Sequence, residues 1–227
     1  MGSGAWWTYR PEDLLMFSPR VYERLFELNN QALWPAQLLA LALGGLALAV
    51  LLRPGPRGIR WLVILLAVAW AFVAWAFLWR RYAPIHWGIA YVVPLFGLQA
   101  LLVVALGTCR GGLRLPRHWS VRRGLGVGLF TYALALHPLV ALAMGRGLAG
   151  AEVIGLTPDP LAMATLGVAA LAEPAARAWA LLVVPALWCL LSGLTLDTLG
   201  EGSAWLPLLA VTVALASRLW PARPALR

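Results

Sequence analysis

An all-α, polytopic integral membrane helix bundle is the fold class this sequence predicts: about seven transmembrane helices, one of them short, with an N-terminal amphipathic helix. Three observations predict it. Of 227 residues, 62% are hydrophobic and only 12% are charged, and the mean hydropathy is +0.79, far outside the composition of soluble domains. The apolar residues gather into runs of roughly 20, the length a helix needs to cross the hydrocarbon core. The charged residues fall between those runs, where membrane orientation places them.

That placement also decides what the net charge of +9 means. All 18 basic residues are Arg. A nucleic-acid surface would gather them into one patch, whereas here they are spread over the turns between apolar runs, so no nucleic-acid partner is expected. Cys109 ends one apolar run and Cys189 lies inside another, with no paired spacing and no neighbouring His. Both read as small packing residues.

Three segments follow: an interfacial stretch over 1–31, the transmembrane bundle over 32–220 and a short tail over 221–227. The first has no signal-peptide pattern and carries Glu12, Asp13, Glu23 and Glu27. Trp6 and Trp7 read as interfacial anchors. Ser18-Pro19 is a helix start, and Val21, Leu25 and Leu28, with Tyr22 and Phe26 beside them, form the apolar face of a helix lying on the membrane or capping the bundle.

The spans are expected at about 32–52, 59–79, 88–108, 124–144, 161–172, 178–196 and 204–220. The turn Arg53-Pro54-Gly55-Pro56 closes the first, and Arg80-Arg81-Tyr82 the second. Trp61, Trp70, Trp75 and Trp79 do not share a helical face, so some meet lipid and others pack. In the fourth, Gly124 and Gly128 have the spacing of close helix packing, and His137-Pro138 interrupts the second half. The fifth is short. Counting it as a crossing puts 12 of the 18 Arg on one side; not counting it leaves 8 against 10 and removes the bias. Seven crossings in a bacterial plasma membrane, N-terminus outside and C-terminus cytoplasmic, is the resulting topology.

The acids were not used in that argument, yet all except Glu173 fall on the outer side. Glu152, Asp159, His86 and His137 lie near that boundary, with Gln37, Thr165, Ser192 and Thr195 toward the same side and Gln99 nearer mid-span. An outward-facing polar vestibule would unite them. The ligand or ion pathway expected from this pattern is Asp159, Glu152, His137, His86, Gln99 and Thr165. Each has a plainer reading. Asp159 after Thr157-Pro158 is placed to cap the short helix, His137 to bond a carbonyl freed by Pro138, and Glu152 to sit solvated in a Gly-rich loop. No catalytic or nucleotide-binding pattern occurs, and three dispersed His make no evident metal cluster. Neither an enzyme, a cofactor nor a metal is expected.

Thr8-Tyr9-Arg10-Pro11-Glu12-Asp13, the Phe17-Ser18-Pro19-Arg20 segment into Trp34-Pro35, Arg81-Tyr82 through His86-Trp87, and Gly155 to Gly167 together resemble a bacterial multi-pass membrane family catalogued only as a domain of unknown function. The family pattern at the short span reads Pro-Cys-Pro, then hydroxyl residues and Thr-x-Gly. This chain has Pro158-Asp159-Pro160, Leu161 and Ala162, with Thr165-Leu166-Gly167 continuing the match. A thiol there would imply a soft-metal or redox role, which the carboxylate does not carry over. The resemblance brings no activity with it.

Short, proline-interrupted segments mark transport sites. The function expected is therefore a small-solute or cation transporter or channel-like protein. The alternative is a non-catalytic accessory or scaffolding subunit, for which the abundant small residues argue. A sensor or enzyme would need an output surface larger than any loop here. The partners expected are the lipid bilayer and either further copies of the chain or a membrane complex.

Overall fold

A computed structural model describes residues 17–109 and 111–220. Trp6, Trp7, the Thr8 to Asp13 motif, Arg110 and the tail over 221–227 lie outside the described residues. Those described are almost wholly helical and contain no strand, only two isolated bridges.

The chain enters through α1 (Pro19–Leu33). Ser18 is its extended N-cap residue, but the side chain makes no capping bond; the Ser18 carbonyl accepts from the Val21 and Tyr22 amides instead. The face turned inward is Tyr22, Leu25, Phe26 and Asn29, at the i, i+3, i+4, i+7 spacing of one helical stripe. Val21 and Leu28, expected on that face, are exposed. The buried rings stack with Phe17, Phe77 and Tyr82, so α1 is fastened to the bundle by an aromatic cluster.

A 91° bend separates α1 from α2 (Ala36–Leu52). Pro35 stands at the bend, with no amide hydrogen to continue the helix. Then come α3 (Pro56–Tyr82), α4 (Trp87–Thr108) and α5 (Val121–Ala143). From Ala74 onward α3 is wound as a π-helix. Of its four Trp, Trp70 is fully buried while Trp61, Trp75 and Trp79 are exposed, the division between packing and outward faces that their positions require. In α5, Pro138 cannot donate, and the backbone answers with a π-turn over Tyr132–Leu136 and a 3-10 turn over His137–Leu139.

At the centre stands α6 (Pro158–Leu171), every residue of which is buried. Its 14 residues rise roughly 21 Å, short of the hydrocarbon thickness of about 30 Å. It packs against α3, α5, α7 (Ala175–Thr198) and α8 (Trp205–Leu219). Closest is α5, where the two backbones meet at Gly126 and Gly167. A Cβ at Gly126 would lie 2.6 Å from the Gly167 carbonyl oxygen, and one at Gly167 would lie 2.6 Å from that of Gly126. Gly124 and Gly128, the pair expected to pack, have nothing within 4 Å. The packing glycine lies between them, because the inward stripe of α5 runs Arg123, Gly126, Val127, Phe130.

Four helices, α3, α4, α5 and α7, are long and apolar enough to cross a membrane, or five spans if the bent pair α1 and α2 counts as one. The apolar helices α6 and α8 are shorter.

Candidate functional site

Where α5, the α5–α6 connection and the start of α6 converge, three residues far apart in sequence meet. His137 comes from the 3-10 turn of α5, Glu152 from the connection and Asp159 from the first turn of α6. They are 4%, 8% and 3% exposed. His137 Nε2 lies 3.6 Å from Glu152 Oε2, and one ligand-capable atom from each of the three lies within 4.8 Å of the other two.

Asp159 is rigidly held. Its Oδ1 accepts from Trp188 Nε1 at 2.7 Å and its Oδ2 from the Ser192 hydroxyl at 2.7 Å. Trp188 and Ser192 are one turn apart on α7, so a single helix face presents both donors. The capping role is therefore not the one Asp159 plays. The N-cap residue of α6 is Thr157, whose hydroxyl donates back to the Val153 carbonyl, while the Asp159 carboxylate reaches across to α7. Each carboxylate oxygen keeps a second lone pair for a further partner.

His137 and Glu152 are open to a partner instead. Neither ring nitrogen of His137 has a hydrogen-bond partner, nor does Glu152 Oε2, although all three atoms are buried. The expected bond from His137 to a carbonyl freed by Pro138 is absent, and the imidazole lies edge-on to the Tyr132 ring. Buried polar atoms are costly to leave in this condition, so the cluster has capacity for a further partner. Arg146, in the same connection, forms no ion pair with either carboxylate among the described residues, and its Nε and Nη1 are buried without partners.

The connection that carries Glu152 is held from the other side by α1. Asn30 Nδ2 donates to the carbonyls of Ala149 and Ala151 at 2.8 and 2.7 Å, and Asn29 to that of Leu156 at 3.4 Å. Gln37 in turn holds the Asn30 carbonyl at 2.9 Å. Gly145, Gly147 and Gly155 have positive φ, which lets this connection turn back over the end of α6.

The other expected pathway residues do not join the cluster. Thr165 accepts from Trp70 Nε1 at 3.0 Å and donates to the Leu161 carbonyl, tying α6 to α3. Gln99 donates to the Leu181 carbonyl, tying α4 to α7. His86 Nδ1 accepts from the Gly88 amide and caps the turn that opens α4, with its ring against Phe17 and Tyr82. The site is thus narrower than a vestibule lined by all six. Ser192 is among the polar candidates of the sequence and Trp188 is not, although a buried indole needs an acceptor and Ser192 lies four residues on.

The donor set is an imidazole and two carboxylates. Such a set suits a divalent first-row cation, and with a neutral imidazole its two negative charges match a doubly charged ion. Donors about 2.1 Å from one ion lie within roughly 4.2 Å of one another. The His137–Glu152 separation already meets that, and a small shift of those two side chains, which no hydrogen bond at these atoms restrains, would bring them to the fixed Asp159 carboxylate. Trp188 and Ser192 stand where orienting partners of a ligating carboxylate stand. Three dispersed His give no evident metal cluster in the sequence, whereas the fold brings together His137, Glu152 and Asp159 across separations of 15 and 7 residues.

No curated protein and no solved structure matches this chain. A family model matches residues 20–224, nearly the whole of it, and that family is described as a family of unknown function, DUF6064. The chain belongs to the family of unknown function DUF6064.

Proposed function

We propose that this protein is a non-catalytic, multi-pass protein of a bacterial plasma membrane that binds and passes a small divalent cation. The observation that carries the reading is the convergence of His137, Glu152 and Asp159, buried, with three of their polar atoms unpartnered. His137 and Glu152 approach to 3.6 Å without a hydrogen bond, and a bound cation would supply the partner that their three buried polar atoms lack. Seven crossings put this cluster at the outer end of the bundle. The short α6, backed on every side by protein, then acts as the incomplete helix whose N-terminus faces the site. Ion entry requires the connection between α5 and α6 to lift, since the three ligands are covered in the closed arrangement.

The test is uptake of zinc or manganese into liposomes containing the purified full chain, followed with an entrapped ion-sensitive dye. Uptake above protein-free liposomes, lost in Glu152→Gln and His137→Ala, is the expected result. Uptake no faster than in protein-free liposomes, or unchanged in both variants, refutes it.

A second reading is favoured by one separate feature. An apolar cavity of about 250 Å³ between α2 and α3, lined by Leu39, Leu43, Gly44, Leu65, Ala69 and Phe72 among others, opens on the outside of the bundle. It would receive apolar side chains from a partner subunit's helix, the accessory role. Reproducible copurification of one partner in mild detergent, with loss of it in Leu39→Gln at the exposed rim of the cavity, would support that role over transport.

A further inference from the structure

The other end of α6 carries a cavity of opposite character. It has a volume of about 410 Å³ and is lined by Gly111, Arg114, Arg122, Glu173, Pro174 and Ala175, with Arg218 completing the wall. Three guanidinium groups face one carboxylate, an excess of positive charge inside a recess rather than spread over a loop. The recess is also built. Arg122 Nε donates to the Ser217 carbonyl at 3.2 Å and its Nη2 to that of Trp220 at 2.9 Å, while Arg218 Nη1 donates to that of Ala172 at 2.9 Å. Backbone carbonyls fix these side chains in place without neutralising them.

Two further observations point to an anion. Arg218 is only 8% exposed, and its Nε is buried with no partner. The recess also takes in Pro174 and Ala175, the N-cap and first residue of the 24-residue helix α7, where free amides and the positive end of the dipole favour negative charge. A planar guanidinium fork beside a helix N-terminus matches the geometry of a phosphate group.

We propose that this recess binds a phosphate group, supplied by the headgroup of an anionic phospholipid or by a free phosphate anion. Basic pockets between transmembrane helices hold lipid phosphates in this way. The site lies roughly 20 Å from Asp159 along α6, so it is independent of the cation cluster.

The experiment is a thermal melt of the full chain in neutral detergent, followed by tryptophan fluorescence, with titration of short-chain phosphatidylglycerol, phosphatidylcholine of the same chain length, and sodium phosphate. Ligand that binds the folded state raises Tm in proportion to its saturation. Phosphatidylglycerol raises Tm and phosphatidylcholine does not. A comparable rise with sodium phosphate assigns a free anion, and its absence assigns the headgroup; both support the site. Arg218→Gln raises the dissociation constant about tenfold, the scale of one charge-assisted hydrogen bond. Arg114→Gln does the same and removes none of the carbonyl bonds named above, so it carries the test should Arg218→Gln fail to fold. Arg57→Gln, an equal loss of charge at an exposed position outside the recess, leaves binding unchanged. Equal responses to the two lipids, no response to any of the three, or undiminished binding in Arg114→Gln overturn the proposal.

Discussion

A carboxylate whose two oxygens each accept a hydrogen bond from a neighbouring helix fixes that helix as firmly as it is fixed itself. For Asp159 this separates structure from ligand binding. Asp159→Ala leaves the Trp188 indole and the Ser192 hydroxyl buried without an acceptor, at about 1 to 3 kcal/mol for each orphaned group. Asp159→Asn keeps an oxygen for Trp188, and the Ser192 hydroxyl can turn to accept from the new amide. A melt should show a clear loss for the first and a small one for the second, while both lose the cation. Equal melts would mean that the bonds to α7 are not what holds the residue. Thr165→Val, which takes the acceptor from the buried Trp70 indole, should cost about 1 to 3 kcal/mol with no effect on ion binding.

Between helices, the contact of α5 with α6 is controlled by glycines that meet backbone to backbone. Gly126→Ala forces the two helices apart and should cost about 1 to 3 kcal/mol, whereas Gly128→Ala, with open space before it, should leave the melt unchanged. The α1 helix works at a distance through Asn30, which clamps both Ala149 and Ala151 in the connection carrying Glu152. Asn30→Ala should weaken zinc binding by about tenfold, as loss of a supporting partner does, with helical content by circular dichroism unaltered. Unchanged affinity would show that the connection needs no clamp. These relations explain what could be read in advance. Helix positions follow from the length of apolar runs and from Pro and Gly punctuation, which are local. The face of α1 and the choice of Gly126 over Gly124 and Gly128 depend on which neighbour arrives, which no local pattern states.

Across the whole molecule, one end of α6 gathers a His and two carboxylates and the other gathers arginines, an asymmetry already visible in the distribution of charges along the chain. His137, Glu152 and Asp159 were legible as candidates because ionisable groups beside apolar runs need a reason to be there. The sequence grouped them in one outward vestibule, but the diversion of Thr165 and Gln99 to helix-to-helix bonds and of His86 to a local cap was not legible, since side-chain partners are chosen by the fold. The proposed topology has its own check. Cys109 is exposed and Cys189 buried, so a membrane-impermeant maleimide should leave the wild type unlabelled in intact cells and label it after permeabilisation. Labelling of Cys109 in intact cells would invert the orientation.

Calorimetric titration of zinc into the purified full chain reads whether the three buried residues form one cation site, with no transport assay between. One ion per chain should bind wild type, with the dissociation constant raised at least about tenfold in Glu152→Gln and Asp159→Asn and unchanged in His118→Ala, whose imidazole lies in the loop before α5. Absence of binding by wild type, or equal affinity in all four proteins, would mean that the three residues do not form such a site.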